Sequence, residues 1–517
     1  MDKKMEKHGG IKEFYKGKHI FITGGTGFVG KAIIEKILRS CPESGNIYML
    51  LRSKKGKSLN ERLQQLLSNP LFDLLKTKNP NILKKIIPIA GNVLETGLGL
   101  SKEDRQLLIE KVNIVIHSAA SVRFDDFLKT AIFLNLRSTR DLALLALEMK
   151  NINVFLHIST AYCNVHGKVI VEEKLYPAEA DWREAVYVAE NCNENIMNVL
   201  SLKCMDKFPN SYTYTKHLAE HCINDLLASK VATVIVRPTI VTPSIYEPFG
   251  GWVDNFNGVV GMLTGGAMGL VGLTLGKEDM LADCVPVDEA VKVMLSGCFV
   301  TGLTGPKDTV DVLQASAYGL KRWKIKQIIK IGKRAVWEVP FEKQIWHTRG
   351  GLTSSTLYYY INVVLFNLIP AIFLDLFIRI AGHKPIIFKI QRKIYIATTA
   401  LMYFMSNQWD FLNEKAMGNF SKVPENEAEE FCVKIYERSE EEIYDYYKNA
   451  IDGTRWILLG ESKQVKPNAL RNKKRFFYLD RATNALFYFS IFWFIFFKIE
   501  ILSVVFHAIR NYWNSLE

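Results

Sequence analysis

The sequence predicts an α/β fold: an open, doubly wound parallel sheet in the first half, a mainly helical second half, and a membrane segment near the C-terminus. Three features carry this expectation. Short β-branched runs alternate with longer amphipathic stretches up to about residue 295, the pattern of a parallel sheet covered by helices on both faces. The first run leads straight into a glycine-rich turn and then a helical stretch. Beyond residue 350 the composition shifts to long uncharged apolar stretches.

Taken in order, residues 19–23 read as the first strand and 28–39 as the helix after it. Residues 47–51, 86–90, 114–117, 154–159 and 233–236 read as further strands, because each is a short run rich in Ile and Val. Residues 15–295 then form the sheet domain, and 296–355 a linker with substrate-side elements. Residues 356–455 form a C-terminal domain, and 482–506 an anchor. Residues 350–374 carry no charge, but Asn362, Asn367 and Pro370 interrupt them. That reads as a buried or membrane-facing element rather than a span. Residues 425–447 are acidic and helix-like. The basic cluster 471–475 (RNKKR) precedes the uncharged run 482–497. A spanning helix needs about twenty apolar residues. Continuing to 506 reaches that length if Lys498 and Glu500 snorkel or pair. The basic cluster favours a cytosolic N-terminal side for this segment.

With 48% hydrophobic and 23% charged residues among 517, the chain is not mainly disordered. Lys plus Arg (66) exceeds Asp plus Glu (53), giving a net charge of +13. That excess favours phosphorylated cofactors, anionic lipid surfaces or nucleic acid. No nucleic-acid reading module is recognisable, so no nucleic-acid partner is expected. The eight cysteines include no C-x-x-C pair, which argues against a zinc ribbon or a dithiol redox site. Reduced thiols facing the cytosol are expected. Residues 1–8 are charged and lack an apolar run, so no N-terminal signal peptide is expected. Asn419-Phe420-Ser421 matches the glycosylation sequon, whose use would need a lumenal face.

The strongest local signal is Thr23-Gly24-Gly25-Thr26-Gly27-Phe28-Val29-Gly30, a G-x-x-G-x-x-G between a strand and a helix. Glycine permits a tight turn and close approach to a pyrophosphate, and the helix N-terminus presents free N–H groups to it. This predicts a Rossmann-type dinucleotide site. An acidic residue after the second strand would favour NAD. Here that strand is followed by Arg52, Lys54, Lys55 and Lys57. A cation suits a 2′-phosphate, so NADPH is the expected cofactor, against the alternative of a solvated basic loop. Asn92 at the end of the third strand is an adenine contact candidate. Ala119 and Ala120 end the fourth, where small residues let a dinucleotide lie flat.

Tyr212 and Lys216 form a Y-x-x-x-K on one helix face. A tyrosine near pKa ~10 is a poor acid–base group at neutral pH. A lysine one turn away is expected to stabilise the phenolate and lower that pKa. Ser159 and Thr160 end the fifth strand, where open α/β sheets bind ligands. Either hydroxyl can hold a substrate carbonyl, and strand alternation favours Thr160. His217-Leu-Ala-Glu220-His221 also matches the H-x-x-E-H pattern of zinc hydrolases. It has no further ligand cluster, and packing histidines are the better reading.

These residues resemble the extended short-chain dehydrogenase/reductase superfamily, and more closely the alcohol-forming fatty acyl-CoA reductases with their male-sterility-type C-terminal domain. The stretches 155–162 (FLHISTAY), 209–216 (PNSYTYTK), 236–241 (VRPTIV), 251–255 (GWVDN) and 285–288 (VPVD) carry the likeness. Asn92 departs from it, standing where the family usually has Asp. The resemblance implies NADPH-dependent reduction of a long-chain acyl-CoA to a primary alcohol through an aldehyde, in two hydride steps. It implies Tyr212, Lys216, Thr160 and Ser159 as catalytic candidates. Residues 23–30, Arg52, Asn92, Ala119, Ala120, Tyr212, Lys216, Arg237, Pro238 and Thr239 become the cofactor candidates. It also implies an endoplasmic reticulum membrane protein, or a peroxisomal one, with the catalytic part facing the cytosol. Membrane lipid is then a partner and no metal is required. A sterol or sugar-nucleotide dehydrogenase, or a nucleotide-binding protein without turnover, are the rival readings.

Overall fold

Seven strands rich in Ile and Val pair side by side in parallel: β1 (Ile20–Thr23), β2 (Ile47–Leu51), β3 (Ile86–Ala90), β4 (Ile114–His117), β5 (Val154–Ile158), β6 (Thr233–Pro238) and β7 (Asp311–Ala315). The computed structural model describes residues 9–53, 56–319, 322–434, 438–498 and 501–515. Lys54, Lys55 and Glu500 therefore lie outside the described residues. The strand order is β7-β6-β5-β4-β1-β2-β3. Thr23 stands beside His117 and Ile20 beside Ile47. The chain reverses direction across the sheet between β1 and β4. Crossovers leave their strand ends on opposite faces there, opening a crevice at the C-terminal edge.

Alternation along the strands builds two cores. Ile20 and Ile22 pack on one face with the helices α1 (Phe28–Ser40) and, farther along the chain, Val287–Thr304. Phe21, Val115 and Phe155 pack on the other face against the helices Ser138–Glu148 and α2 (Ser211–Leu227). Successive side chains of a strand point to opposite faces, so one Ile/Val run serves both layers.

β7 lies beyond residue 295, within the segment expected to be a linker. Its pattern is masked by Gln314, a fully buried amide that donates to the carbonyls of Val171 and Leu412 at 2.7 and 2.8 Å. The second half is stitched into the first. Gly351–Thr353 pairs with Leu273–Leu275, and Asp410–Phe411 with Ile170–Val171. Glu173 accepts from the backbone N–H groups of Lys415 and Ala416. The acidic stretch is two helices, Glu425–Phe431 and Glu440–Gly453, rather than one. Asn419 is buried in the helix Glu414–Phe420, which leaves the sequon inaccessible in the folded chain. The eight cysteines form no disulfide.

Among the described residues one helix is long and apolar enough to cross a membrane, Thr356–Ile380. It continues unbroken through Pro370, because a local widening of the helix at Val364–Leu368 precedes it. The expected anchor 482–506 is divided between the helix Pro467–Trp493, the turn Phe494–Lys498 and the helix Ile501–Asn514.

Candidate active site

The glycine turn sits at the β1–β4 switch point. Gly24 has φ +73°, and a Cβ there would stand 2.5 Å from the Ala119 nitrogen. A Cβ on Gly30 would collide with the Gly24 carbonyl oxygen. Both positions therefore require glycine. Gly25 is buried, Thr26 and Gly27 are exposed, and α1 starts from Gly27 with no side-chain cap. Its first N–H groups thus face the crevice without a protein acceptor from the cap. Phe28 stacks on Trp252 at 5.0 Å, and Lys31 pairs with Asp254 at 2.5 Å. The 251–255 stretch thereby sets the direction of α1.

The other cofactor candidates divide. Arg52 is exposed just past β2. Ala119 and Ala120 lie at the end of β4, directly across from the turn. The Thr23 hydroxyl is committed to His117 Nδ1 at 2.7 Å, and His117 Nε2 to Thr139 at 2.9 Å. Thr23 thus ties β1 to β4, and only its backbone belongs to the turn. Asn92 closes its own loop: its Oδ1 accepts from Leu94 N and its Nδ2 donates to Glu95. Arg237 is engaged away from the turn. Its side chain is fully buried and donates to both oxygens of Glu220, at 2.8 and 2.6 Å. A guanidinium committed to a buried carboxylate is not free to hold a cofactor phosphate. Thr239 is likewise spent on the Ala315 carbonyl, and Pro238 is paired with Ala315 along β7.

Burial would raise the Glu220 carboxyl, but Arg237 outweighs it and holds the pKa down to about 2. His217 Nδ1 bonds Asn164 at 2.9 Å, and its Nε2 accepts from Glu179 N. Burial lowers its pKa to about 4, so the ring is neutral at pH 7. His217 and Glu220 of the H-x-x-E-H stretch are therefore engaged within the protein. Among the described residues no cluster of three or more His, Cys, Asp or Glu is arranged to hold a metal.

The catalytic candidates converge at the end of β5. α2 starts at an Asn210 cap, whose side chain accepts from Thr213 N at 2.9 Å, and it directs Tyr212 and Lys216 at the strand. Thr160 hydrogen-bonds the Tyr212 phenol. Ser159 turns the other way, with its Oγ 3.8 Å from Cys163 Sγ on the Glu220 side. The structure thus brings Thr160, and not Ser159, to the tyrosine. Lys216 is buried and donates to the Ile158 carbonyl oxygen at 2.6 Å, and burial lowers its pKa to about 8. Burial raises the Tyr212 phenol above its usual value, with the Thr160 bond opposing. This reverses the expected lowering: Lys216 is turned to Ile158, and desolvation of the phenolate dominates. At neutral pH the Tyr212 phenol is protonated.

Several functional neighbours carried no sequence signal. Phe124 packs on Tyr212 with ring centres 5.9 Å apart, and Phe404 from the C-terminal half packs on Phe124 at 5.3 Å. Asn135, in a π-turn at 132–137, donates to Thr215 on α2 and accepts from Ser121 N. Tyr162, two residues past Thr160, also meets Phe404. Tyr162 and Phe404 help to line an apolar cavity of about 200 Å³, together with Leu263, Ile328, Phe341 and Leu401. The cavity lies between the two halves. Residues 348–352 reach it, whereas the helix Thr356–Ile380 does not line it.

A parallel sheet with a glycine turn at its switch point, and a Tyr/Lys helix beside a Thr at the next strand end, define a nicotinamide-binding reductase of the extended short-chain type. Two family profiles, both described as male sterility protein, match residues 22–294 (its NAD-binding part) and 366–461 (its Sterile part). The chain belongs to the fatty acyl-CoA reductase family. Fatty acyl-CoA reductase 1 of Xenopus laevis is 35% identical over 466 residues, covering 89% of this chain and 88% of that protein. The human protein of that name is 34% identical over 465 residues, with the same coverage of 89% and 88%. A putative fatty acyl-CoA reductase of Drosophila melanogaster is 33% identical over 488 residues, 93% of this chain and 94% of its own. Among solved structures, the terminal R domain of the myxalamid PKS-NRPS pathway superposes with a TM-score of 0.58 at 14% identity, covering 85% of this chain and 90% of that one. A reductase domain of a Mycobacterium tuberculosis nonribosomal peptide synthetase gives 0.53 at 15% identity, covering 89% and 95%. At such identities the likeness is one of fold.

Proposed function

We propose that this chain reduces a long-chain acyl-CoA to the primary alcohol with NADPH, in two steps through an aldehyde kept at the site. The observation that carries this is the apolar cavity, which reaches the catalytic corner through Tyr162 and Phe404. The names of the relatives agree with it. The glycine cradle and the uncapped start of α1 fit a pyrophosphate. Residues 24–28 would hold it, Arg52 the 2′-phosphate, Ala119 and Ala120 the face of the dinucleotide, and Lys216 the nicotinamide ribose. When bound, the nicotinamide supplies the hydride equivalents. Thr160 and Tyr212 hydrogen-bond the substrate carbonyl oxygen and stabilise the oxyanion that forms there. Tyr212, kept protonated by burial, gives its proton to that oxygen in the aldehyde step. Lys216 keeps a positive charge beside the site below about pH 8. The same reading places 482–506 in the endoplasmic reticulum membrane, or alternatively the peroxisomal one, with the catalytic part in the cytosol.

The test mixes membranes bearing the full chain with NADPH and acyl-CoAs of several lengths, and quantifies alcohol, aldehyde, coenzyme A and NADPH together. Alcohol with two NADPH consumed per coenzyme A released is expected. Aldehyde with one NADPH would remove the second step. No consumption by folded protein that binds NADPH would overturn the reading.

A further inference from the structure

The helix Thr356–Ile380 passes for a membrane span by length and composition, yet it is one arm of a hairpin, and the return arm Ile387–Ser406, with Lys389, Arg392 and Lys393, is too charged to carry the chain back across. The strand before it, Gly351–Thr353, is paired with Leu273–Leu275. The helix after it, Ile387–Ser406, runs back to Asp410–Phe411, which is paired with Ile170–Val171. Both ends of this helical hairpin are therefore fastened to the body of the protein, on the same side of any bilayer. The hairpin turn is locked as well. Asp375 on the first arm accepts from the backbone N–H groups of Ile386, Ile387 and Phe388 at 2.9 to 3.0 Å, capping the second arm.

The base of the hairpin is held to the body and the two arms to each other. Gln391 donates to the Leu270 carbonyl, and the Tyr359 and Thr398 hydroxyls meet between the arms. The outer face is open and apolar. Leu357, Phe377 and Ile380 are 72%, 65% and 74% exposed, with Phe373, Leu374 and Leu376 also exposed beside them. A contiguous apolar face of this kind marks an interaction surface. The hairpin end is basic. Residues 379–393 contain Arg379, Lys384, Lys389, Arg392 and Lys393 and no acidic residue. All five are exposed and have no ion-pair partner among the described residues.

We propose that this hairpin is a monotopic docking surface for an anionic lipid bilayer, lying in the plane of one leaflet and separate from the 482–506 segment. The apolar face enters the boundary of the acyl region, and the five cations stand at the level of the headgroup phosphates. Charge complementarity decides the occupant. A second copy of this chain would bring the same five cations against themselves, whereas anionic headgroups neutralise them. The arm Ile387–Ser406 also carries Leu401, Phe404 and Met405 into the apolar cavity, so one helix joins the lipid-facing surface to the cavity wall.

The test uses the full chain carrying Phe377→Cys with Cys204→Ser, labelled with an environment-sensitive fluorophore. It is reconstituted on vesicles of phosphatidylcholine with or without phosphatidylserine. The expected result is quenching by lipids bearing a nitroxide near the headgroup, and loss of quenching by external iodide by about tenfold when phosphatidylserine is present. Reversing Lys384, Lys389, Arg392 and Lys393 to Glu should restore iodide access while the protein still floats with the vesicles. Retained NADPH binding shows that this variant is folded, and replacing Lys384, Lys389 and Lys393 with Arg should preserve the shielding. Four results would overturn the proposal: iodide access unchanged by lipid, shielding indifferent to phosphatidylserine, a label reached only from the vesicle interior, or shielding without lipid accompanied by cross-links between copies.

Discussion

Replacing Arg237 with methionine tests whether this residue serves the fold or the cofactor. Both Arg237 and Glu220 are essentially inaccessible, joined by two charge-assisted bonds of 2.8 and 2.6 Å. Removing the guanidinium leaves a buried carboxylate held by the Ser159 hydroxyl and by weak contacts to Asn164 and Cys163, both at 3.4 Å. Breaking one side of a buried pair costs about 3–5 kcal/mol, because the remaining charge is uncompensated. Arg237→Met should therefore lower stability by that amount. Arg237→Met with Glu220→Gln should recover most of the loss, since the charge is gone and the amide still meets Asn164. The pair also has a pH signature. The Glu220 pKa is about 2 when folded, against 4.5 for a free carboxyl. Its contribution is fully present above pH 4.5 and is lost as pH falls toward 2. The assay combines urea unfolding of both variants with NADPH affinity by fluorescence titration. An Arg237→Met protein of normal stability whose NADPH affinity falls tenfold or more, about 1.4 kcal/mol, would refute the structural role and restore the cofactor one.

Further outcomes are expected. Tyr212→Phe and Thr160→Val should each reduce alcohol formation, by roughly 10²–10⁴-fold for the tyrosine, while Ser159→Ala keeps most of it; equal losses at 159 and 160 would contradict the placement of Thr160. Turnover that needs the Lys216 ammonium should fall as pH rises through about 8, and a flat profile would count against its charge having a role. For stability the sign is opposite: the unfolded chain binds this proton up to about 10.5, so the apo-protein gains from Lys216 as pH rises between 8 and 10.5, which unfolding midpoints can follow. Arg52→Glu should weaken NADPH by about tenfold or more and NADH much less, since only the former carries a 2′-phosphate; equal effects in titrations would remove the cation argument. Gly24→Ala should abolish dinucleotide binding, because the new methyl lands 2.5 Å from Ala119 N at a positive φ, and normal binding would dismiss the cradle.

Much of this protein is legible along the chain because its interactions are local. β2, β3 and β4 begin and end where the Ile/Val runs do, since a buried parallel strand must be apolar on both faces. The glycine turn and the Tyr212–Lys216 spacing are local too, set by one turn and one helix. Strand alternation also separates Ser159 from Thr160, and the structure turns them to opposite sides.

What the sequence by itself determined is thus the α/β class and the dinucleotide turn, both of which depend on neighbours a few residues apart. What only the tertiary structure decided depends on distant partners. Arg237 became a buried ion pair because α2 brings Glu220 beneath β6. The Tyr212 phenol is raised because Phe124 and, behind it, Phe404 help to close its surroundings. β7 escaped notice because its buried Gln314 is satisfied by carbonyls more than ninety residues away. The helix Thr356–Ile380 has the composition of a span, and only the tertiary structure makes it one arm of a hairpin whose two ends are both fastened to the body. Periodicity reports which side of an element is apolar, but burial, charge and direction are set by what the rest of the chain places against it.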